Sequence, residues 1–337
     1  MDKPKDKQVI NVMTSSDEKL MPFIMTQIMS IVDNLPNDVT INYFLLYDTK
    51  ENRDEKLKNI EILHKFSRNF SNVRFSDIDV GDTEIFRYIA DCGGPWPATA
   101  YYSVFAHRFL PETIDRVLYL DAGDVCVIGD LRDYYFADIS GDFILITPGR
   151  YKVVNEELML YDRNDLYDPS LCDGITRGLF NSGSYVINLD QIRRSGLSEE
   201  YCVKLSDELK RLKNNITVKI HDHVYFGDQG FLSALFLGGI KYFGYPHIQN
   251  VFFMPFNFCM WYFDCIETQP WYTPLIIHFA DAFKPWKIKY RCNIYLQSLT
   301  ESKQVSDLKL GKREYYYAWH EYAIKSEIIC RTNGILT

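Results

Sequence analysis

The sequence predicts an α/β protein with an open, doubly wound sheet of the nucleotide-binding kind. Two observations predict it. First, the segment from Val9 to Ile78 alternates short apolar runs with amphipathic ones in the order β-α-β-α-β. Second, the strand-like run Arg116-Val117-Leu118-Tyr119-Leu120 ends abruptly in Asp121-Ala122-Gly123-Asp124. In open α/β sheets ligands bind outside the carboxyl ends of the strands, so carboxylates placed there can reach a metal or a phosphate. A third observation narrows the class. No Gly-x-Gly-x-x-Gly follows the first strand, and no Gly-x-x-x-x-Gly-Lys-Ser/Thr occurs. The dinucleotide and P-loop fingerprints are therefore missing.

Val9 to Met13 reads as a buried strand. Thr14-Ser15-Ser16-Asp17 supplies N-cap residue types, and Pro22 opens a helix running to about Val32 with Phe23, Ile24, Ile28 and Ile31 at helical spacing. Thr40 to Tyr47, rich in β-branched and aromatic residues, is the second strand. Asn52 to Phe70 is an amphipathic helix, and Val73 to Ile78 is a third strand. Gly93-Gly94-Pro95-Trp96-Pro97 breaks the chain before a helix over Ala98–Leu110. Asp142 to Thr147 is a strand, and Arg150 to Phe180 is a long polar loop carrying Tyr151, Tyr161 and Tyr167. Phe180-Asn181-Ser182-Gly183 turns into a strand ending at Leu189, and Leu197 to Leu212 is helical. Gly227-Asp228-Gln229-Gly230 precedes a helix over Phe231–Leu237, which places Asp228 as its N-cap. Lys241 to Tyr245 is a strand, and Phe252 to Trp271 is an aromatic cluster read as core or lid. Leu275 to Phe279 is a buried strand carrying His278. From Lys287 the chain reads as helical and mixed in charge, with an aromatic patch over Tyr315–Trp319.

A chain of 337 residues, 47% hydrophobic and 24% charged, buries an ample core without disulfides. The formal net charge of −8 argues against a nucleic-acid partner. The 8 cysteines form no Cys-x-x-Cys pair, which excludes the usual zinc and redox motifs. Met1 to Gln8 is polar and charged, and the most apolar run, Gly230–Ile240, is too short to span a bilayer. These features lead to the expectation of a reduced, cytoplasmic protein whose cysteines are mostly buried small hydrophobes.

Asp121 with Asp124, Asp228 with Gln229, and His278 all fall at predicted strand ends or turns. Carboxylates with one imidazole suit a hard or borderline octahedral ion, Mn²⁺ or Mg²⁺, and the imidazole favours Mn²⁺. Such an ion offsets the charge of a diphosphate leaving group.

Taken in order, these features resemble glycosyltransferase family 8, which includes bacterial lipopolysaccharide glucosyl- and galactosyltransferases and glycogenin. The resemblance is carried by Ser15-Ser16-Asp17-Glu18, Val117-Leu118-Tyr119-Leu120-Asp121, Phe180-Asn181-Ser182-Gly183, Gly227-Asp228-Gln229, and His278 through Lys284-Pro285-Trp286. It spans about Val9 to Trp286. It implies a GT-A fold, a catalytic domain over 1–286 with a nucleotide-binding half (about 9–150) and a donor-sugar and acceptor half (about 151–286), and a helical extension over 287–337. It implies retaining transfer of glucose or galactose from a UDP-sugar to a glycan acceptor hydroxyl, assisted by Mn²⁺ or Mg²⁺.

Position by position, the resemblance puts Ser15, Asp17 and Lys19 at the nucleotide, with Asp17 on the uracil. It puts Asp121, Asp124 and His278 on the metal, and Asn181 and Asp228 on the donor sugar's hydroxyls. Gln229 lies on the sugar face opposite the leaving group, with Asp228 the alternative catalytic group. Lys284 neutralises the diphosphate, and Trp286 supports its loop. The family usually spaces its two acidic residues one apart, whereas Ala122-Gly123 separate them here; glycine can take φ > 0, so either a bulged turn returns Asp124 to the metal or only one carboxylate is bound. Ser103 stands where many members carry an Arg, with Arg108 the nearest replacement, and Lys19 and Leu20 stand where Asn and Tyr are usual. An acidic donor contact is replaced by Thr147-Pro148-Gly149-Arg150. Two other readings accompany this one: glycogenin-like glycosylation of a tyrosine, and a non-catalytic sugar-nucleotide binder. The mixed charge of the tail sets an upper limit of peripheral membrane contact.

Overall fold

The computed structural model describes residues 8–81, 84–91, 97–146, 151–154, 157–160, 182–215, 227–242, 248–250, 275–279, 284–287 and 310–336. The expectations for Asn181, for most of the Arg150–Phe180 loop, for Phe252–Trp271 and for five of the cysteines lie outside these residues.

The chain begins β1 (Val9–Ser15), α1 (Ile24–Asn34), β2 (Thr40–Tyr47), α2 (Arg53–Ser67), β3 (Val73–Asp79) and α3 (Glu84–Ala90). β1 is buried at all but its first residue, and parallel β2 at all but one, the pattern of strands covered on both faces. β3 alternates in burial as an edge strand does. α2 opens with Asp54 and Glu55 and closes with His64 and Lys65, charges placed to favour its dipole.

The predicted helix over Ala98–Leu110 is instead a 3₁₀ segment, Ala98–Phe105, followed by one turn of α4 (Ala106–Phe109). Tyr101 to Phe105 are all buried, so this segment has no solvent face for a 3.6-residue period to serve.

β4 (Arg116–Leu120), β5 (Val125–Val127), α5 (Arg132–Tyr135) and β6 (Ile144–Ile146) follow, then a hairpin of β7 (Tyr151–Val154) and β8 (Glu157–Leu160). β9 (Ser184–Asn188), α6 (Leu189–Ser195), α7 (Glu199–Asn215), α8 (Asp228–Leu235), β10 (Ile240–Tyr242), β11 (Ile248–Asn250), β12 (Ile276–His278) and α9 (Leu310–Thr332) complete the described strands and α-helices.

Among the described residues, 7 strands form one sheet in the order β10-β6-β9-β4-β1-β2-β3. It is parallel except for β9, which runs antiparallel to both β4 and β6. Separate apolar clusters hold Met13, Phe44, Tyr119 and Tyr185 on one side, and Ile10, Val12, Leu118 and Val186 on the other. The alternation of neighbours such as Val12 and Met13 between the clusters is the two-residue period of a strand buried on both faces. A smaller sheet, β11-β12-β5, leans on α9 through Cys126, Ile277, Phe279 and Trp319.

α9 lies along α1. Asn34 Nδ2 donates to Tyr322 OH at 2.7 Å, Lys325 Nζ meets Asp33 Oδ2 at 2.5 Å, and Ser326 Oγ donates to Met25 O at 3.1 Å. No described helix is long and apolar enough to cross a membrane.

Candidate active site

β4 runs beside β1 at the middle of the sheet, and its last four residues are buried. The chain then leaves the sheet through Asp121-Ala122-Gly123-Asp124. Gly123 has φ +72°, the left-handed backbone that the bulged turn requires. The turn feeds β5, and Val125 pairs with His278 of β12 across an antiparallel ladder. On the other side, Leu120 pairs with Ser184 of β9, and Asp121 N–H donates to Gly183 O at 3.0 Å. Three strand ends therefore converge at Asp121.

Gly183 has a clear reason to be glycine. A Cβ built there would lie 2.5 Å from His278 Cε1 and 2.6 Å from Nδ1. The imidazole packs on bare backbone, which accounts for the glycine of the Phe180-Asn181-Ser182-Gly183 motif.

The Asp121 carboxylate oxygen Oδ2 is 3.5 Å from His278 Nε2. Donors bound cis to one ion through bonds of about 2.1 Å stand roughly 3 Å apart, so this pair is spaced close to what a shared cation needs. Burial pushes His278 down to about 3, with Lys284 adding to the shift, which leaves the imidazole neutral as a metal ligand must be. Burial likewise pushes the Asp121 carboxyl up to about 8, helped by Asp228 and then Asp124. Desolvation raises Asp228 too, opposed by hydrogen bonds from Ser182 and from the first backbone N–H groups of α8. Carboxylates that repel one another in a poorly hydrated place are the arrangement that a bound cation relieves.

Asp124 takes a different partner. Its Oδ2 meets Lys284 Nζ at 2.6 Å, and the same ammonium donates to Phe279 O at 2.6 Å. Lys284 thus sits on the carboxylate expected beside the metal. Among the described residues, no group of three His, Cys, Asp or Glu closes on one cation position. Asp121 and His278 fit a divalent ion, whereas Oδ2 of Asp124 is held by Lys284.

Asp228 is the first residue of α8, not its N-cap; Gly227 takes that place, and the helix starts three residues earlier than predicted. Its carboxylate remains at the positive end of the helix. Gln229 follows it, and its backbone carbonyl accepts from Ser233 Oγ at 2.7 Å. Trp286 stacks on Phe23 with centroids 5.1 Å apart, and Lys284 Nζ lies 5.6 Å from its ring centre.

Asp17 does not cap α1, whose N-cap makes no side-chain bond. Instead its Oδ1 accepts from the Lys19 and Leu20 N–H groups at 3.0 and 3.1 Å, fixing the turn after β1. Asp17 and Lys19 line a cavity of about 340 Å³ with Asp48, Lys56, Arg87 and Tyr102. It opens at the carboxyl ends of β1, β2 and β3. Ser15 is buried, and its hydroxyl is hydrogen-bonded to Tyr119 OH at 3.1 Å; it braces β1 against β4 and does not line the cavity. Ser103 accepts a hydrogen bond from Tyr185 OH at 2.7 Å. Arg108, the nearest arginine, is paired with Glu199 at 2.6 Å and lies over the Phe105 ring.

Gln27 escaped sequence reasoning. It is buried on the apolar face of α1, and its Nε2 donates to Asp121 O at 2.8 Å and Val125 O at 3.3 Å. Its Oε1 accepts from Tyr43 OH. The signal was there: an amide on a helix face otherwise filled by Phe23, Ile24, Ile28 and Ile31.

A sequence model described as Glycosyl transferase family 8 matches residues 11–289. The chain belongs to glycosyl transferase family 8. Within the family it is 26% identical over 241 residues to the Lipopolysaccharide 1,2-glucosyltransferase of Escherichia coli, a match covering 70% of this chain and 61% of that protein. It is 29% identical over 199 residues to the Glycosyltransferase GlyE of Streptococcus pneumoniae, covering 55% of this chain and 37% of that one. The chain thus spans about three fifths of the first relative and under two fifths of the second.

The crystal structure of GlyE superposes with a TM-score of 0.53 and 17% identity, over 97% of this family 8 chain and 64% of GlyE. The apo structure of the bifunctional glycosyltransferase WbbM gives 0.51 and 16% identity, over 84% and 48%. These likenesses establish the GT-A fold for this family 8 member.

Proposed function

We propose that this chain is a metal-assisted, retaining hexosyltransferase that moves glucose or galactose from a UDP-sugar to a hydroxyl of a glycan acceptor. The observation that carries the reading is the convergence of Asp121 and His278 at three strand ends, with Asp228 electrostatically coupled to Asp121, in a chain whose β1–β3 ends frame a cavity. The uracil and ribose occupy that cavity, against Asp17 and Lys19, and the diphosphate runs from it toward Asp121. The catalytic domain is taken as 1–286, with α9 in the extension that follows it.

Asp121 and His278, with Asp124 as a third carboxylate, would hold the ion, Mn²⁺ in preference to Mg²⁺. When bound, the ion supplies Lewis-acid stabilisation of the departing nucleotide. Lys284 adds a fixed positive charge to the same oxygens. Asp228, at the N-terminus of α8, accepts hydrogen bonds from the sugar hydroxyls together with Asn181. Gln229 stabilises positive charge at the anomeric carbon from the face opposite the leaving group, and the acceptor enters on the leaving-group face. The name of the Escherichia coli relative, a lipopolysaccharide glucosyltransferase, supports a cell-surface glycan as acceptor.

Incubation with labelled UDP-glucose and UDP-galactose, with and without Mn²⁺, tests the reading. Slow Mn²⁺-dependent hydrolysis to UDP in the absence of acceptor is expected. Label retained on the protein would instead favour tyrosine glycosylation, and saturable binding without turnover a non-catalytic role. Asp121→Asn is expected to reduce Mn²⁺-dependent turnover at least a hundredfold, at the upper end of effects seen for metal-site groups. Undiminished turnover in that variant sinks the metal assignment.

A further inference from the structure

We infer that Trp319, on α9 and beyond the residues matched by the family, is a positioning residue for the acidic turn. The inference rests on the reading of that turn as the metal-diphosphate site. The turn carries one residue more than the family's spacing, and it is clasped from four directions. Gln27 Nε2 donates to Asp121 O at 2.8 Å and Val125 O at 3.3 Å, and Phe279 N–H donates to Asp124 O at 2.8 Å. Asp121 N–H is tied to Gly183 O. The remaining contact is at the glycine itself, where Trp319 Nε1–H donates to Gly123 O at 3.3 Å.

Trp319 is 1% exposed, so this indole donor works in a dry setting. Its ring packs against Phe23 and Trp286, with centroids 6.1 and 6.3 Å away. Phe23 is also the side chain that a Cβ on Gly123 would meet first, at 3.3 Å. One aromatic cluster therefore touches the extra residue of the turn on one side and the Lys284–Trp286 loop on the other. A peptide with positive φ turns its carbonyl out of line with the preceding strand. The indole fixes that carbonyl, and with it the direction in which Asp124 leaves the turn.

The test compares Trp319→Phe, which removes the donor and keeps a ring, with Tyr322→Phe. Tyr322 lies on the same helix and accepts from Asn34 at 2.7 Å, so its loss weakens the packing of α9 without touching the turn. Mn²⁺ affinity is measured by electron paramagnetic resonance on the full chain with UDP present, and amide exchange over residues 121–125 by mass spectrometry. Trp319→Phe is expected to weaken Mn²⁺ binding about tenfold, the lower end for groups that orient metal ligands, and to speed exchange at the turn. Tyr322→Phe is expected to do neither. Equal effects of the two variants on both readouts overturn the assignment and leave Trp319 as packing. If the wild-type chain binds UDP but no Mn²⁺, the metal reading fails, and the exchange comparison still decides the role of Trp319.

Discussion

A methyl group on Gly183 is the smallest change that reports on the site. It would collide with the His278 ring at 2.5 Å, and that residue is buried. Gly183→Ala is therefore expected to cost roughly 1–3 kcal/mol as an overpacked substitution. By swinging the imidazole off Asp121 it should lower Mn²⁺-dependent turnover at least tenfold. Chemical denaturation gives the first effect and a Mn²⁺ titration of activity the second; unchanged Mn²⁺ dependence would remove His278 from the site. The residues at this scale were unequally legible. Asp121 and His278 could be read because each ends an apolar run, where a charged or titratable group has few structural reasons to stand. The pairing of Lys284 with Asp124 could not, because those residues are 160 apart in sequence and no local pattern encodes their contact. The hydroxyls of Ser15 and Ser103 turn inward to tyrosines, a choice made by packing between strands.

At the scale of elements, α9 adds a pH dependence that its sequence does not advertise. Burial pushes His320 down to about 3, well below an ordinary imidazole. The unfolded chain therefore takes up a proton below pH ~6.5 that the folded chain refuses. Its contribution to stability is whole above that pH and is lost progressively as the pH falls toward 3. His107, lowered to about 4 by burial and by Arg108 and Arg193, acts in the same direction. Urea midpoints measured between pH 7 and 4 are expected to fall for the wild type and to fall less steeply for His320→Gln. Parallel slopes would show that His320 is not held neutral. Helices α1 and α2 and strands β1 to β3 were readable from periodicity and from Pro22. The 3₁₀ segment was not, since five consecutive buried residues erase the period. Nor was the direction of β9, because an apolar run buried on both faces looks the same whichever way it points.

For the whole molecule, the cavity lined by Asp17 and Lys19 and the acidic turn lie on either side of the carboxyl end of β1. Ligand binding there should stabilise the entire sheet. UDP at a hundred times its dissociation constant is expected to add about 2.7 kcal/mol by mass action. A thermal-shift screen should show a larger rise with UDP and Mn²⁺ together than with either alone, and no rise with other nucleoside diphosphates. A shift indifferent to the base would detach the cavity from uracil recognition. The alternation of strands and helices made the α/β class legible from the first seventy residues. The continuation of the sheet from β4 through β9, β6 and β10 depends on contacts that only the folded chain brings together.

The docking of α9 on α1 also sets a timetable for biosynthesis. Ser326 and Met25 touch across 301 residues of chain. At about 5–20 residues per second, the apolar flank of α1 waits roughly 15–60 s on the ribosome before its cover emerges. Trp319 reaches Gly123 only within that last interval. The acidic turn therefore gains its indole contact only after a further 196 residues have been made.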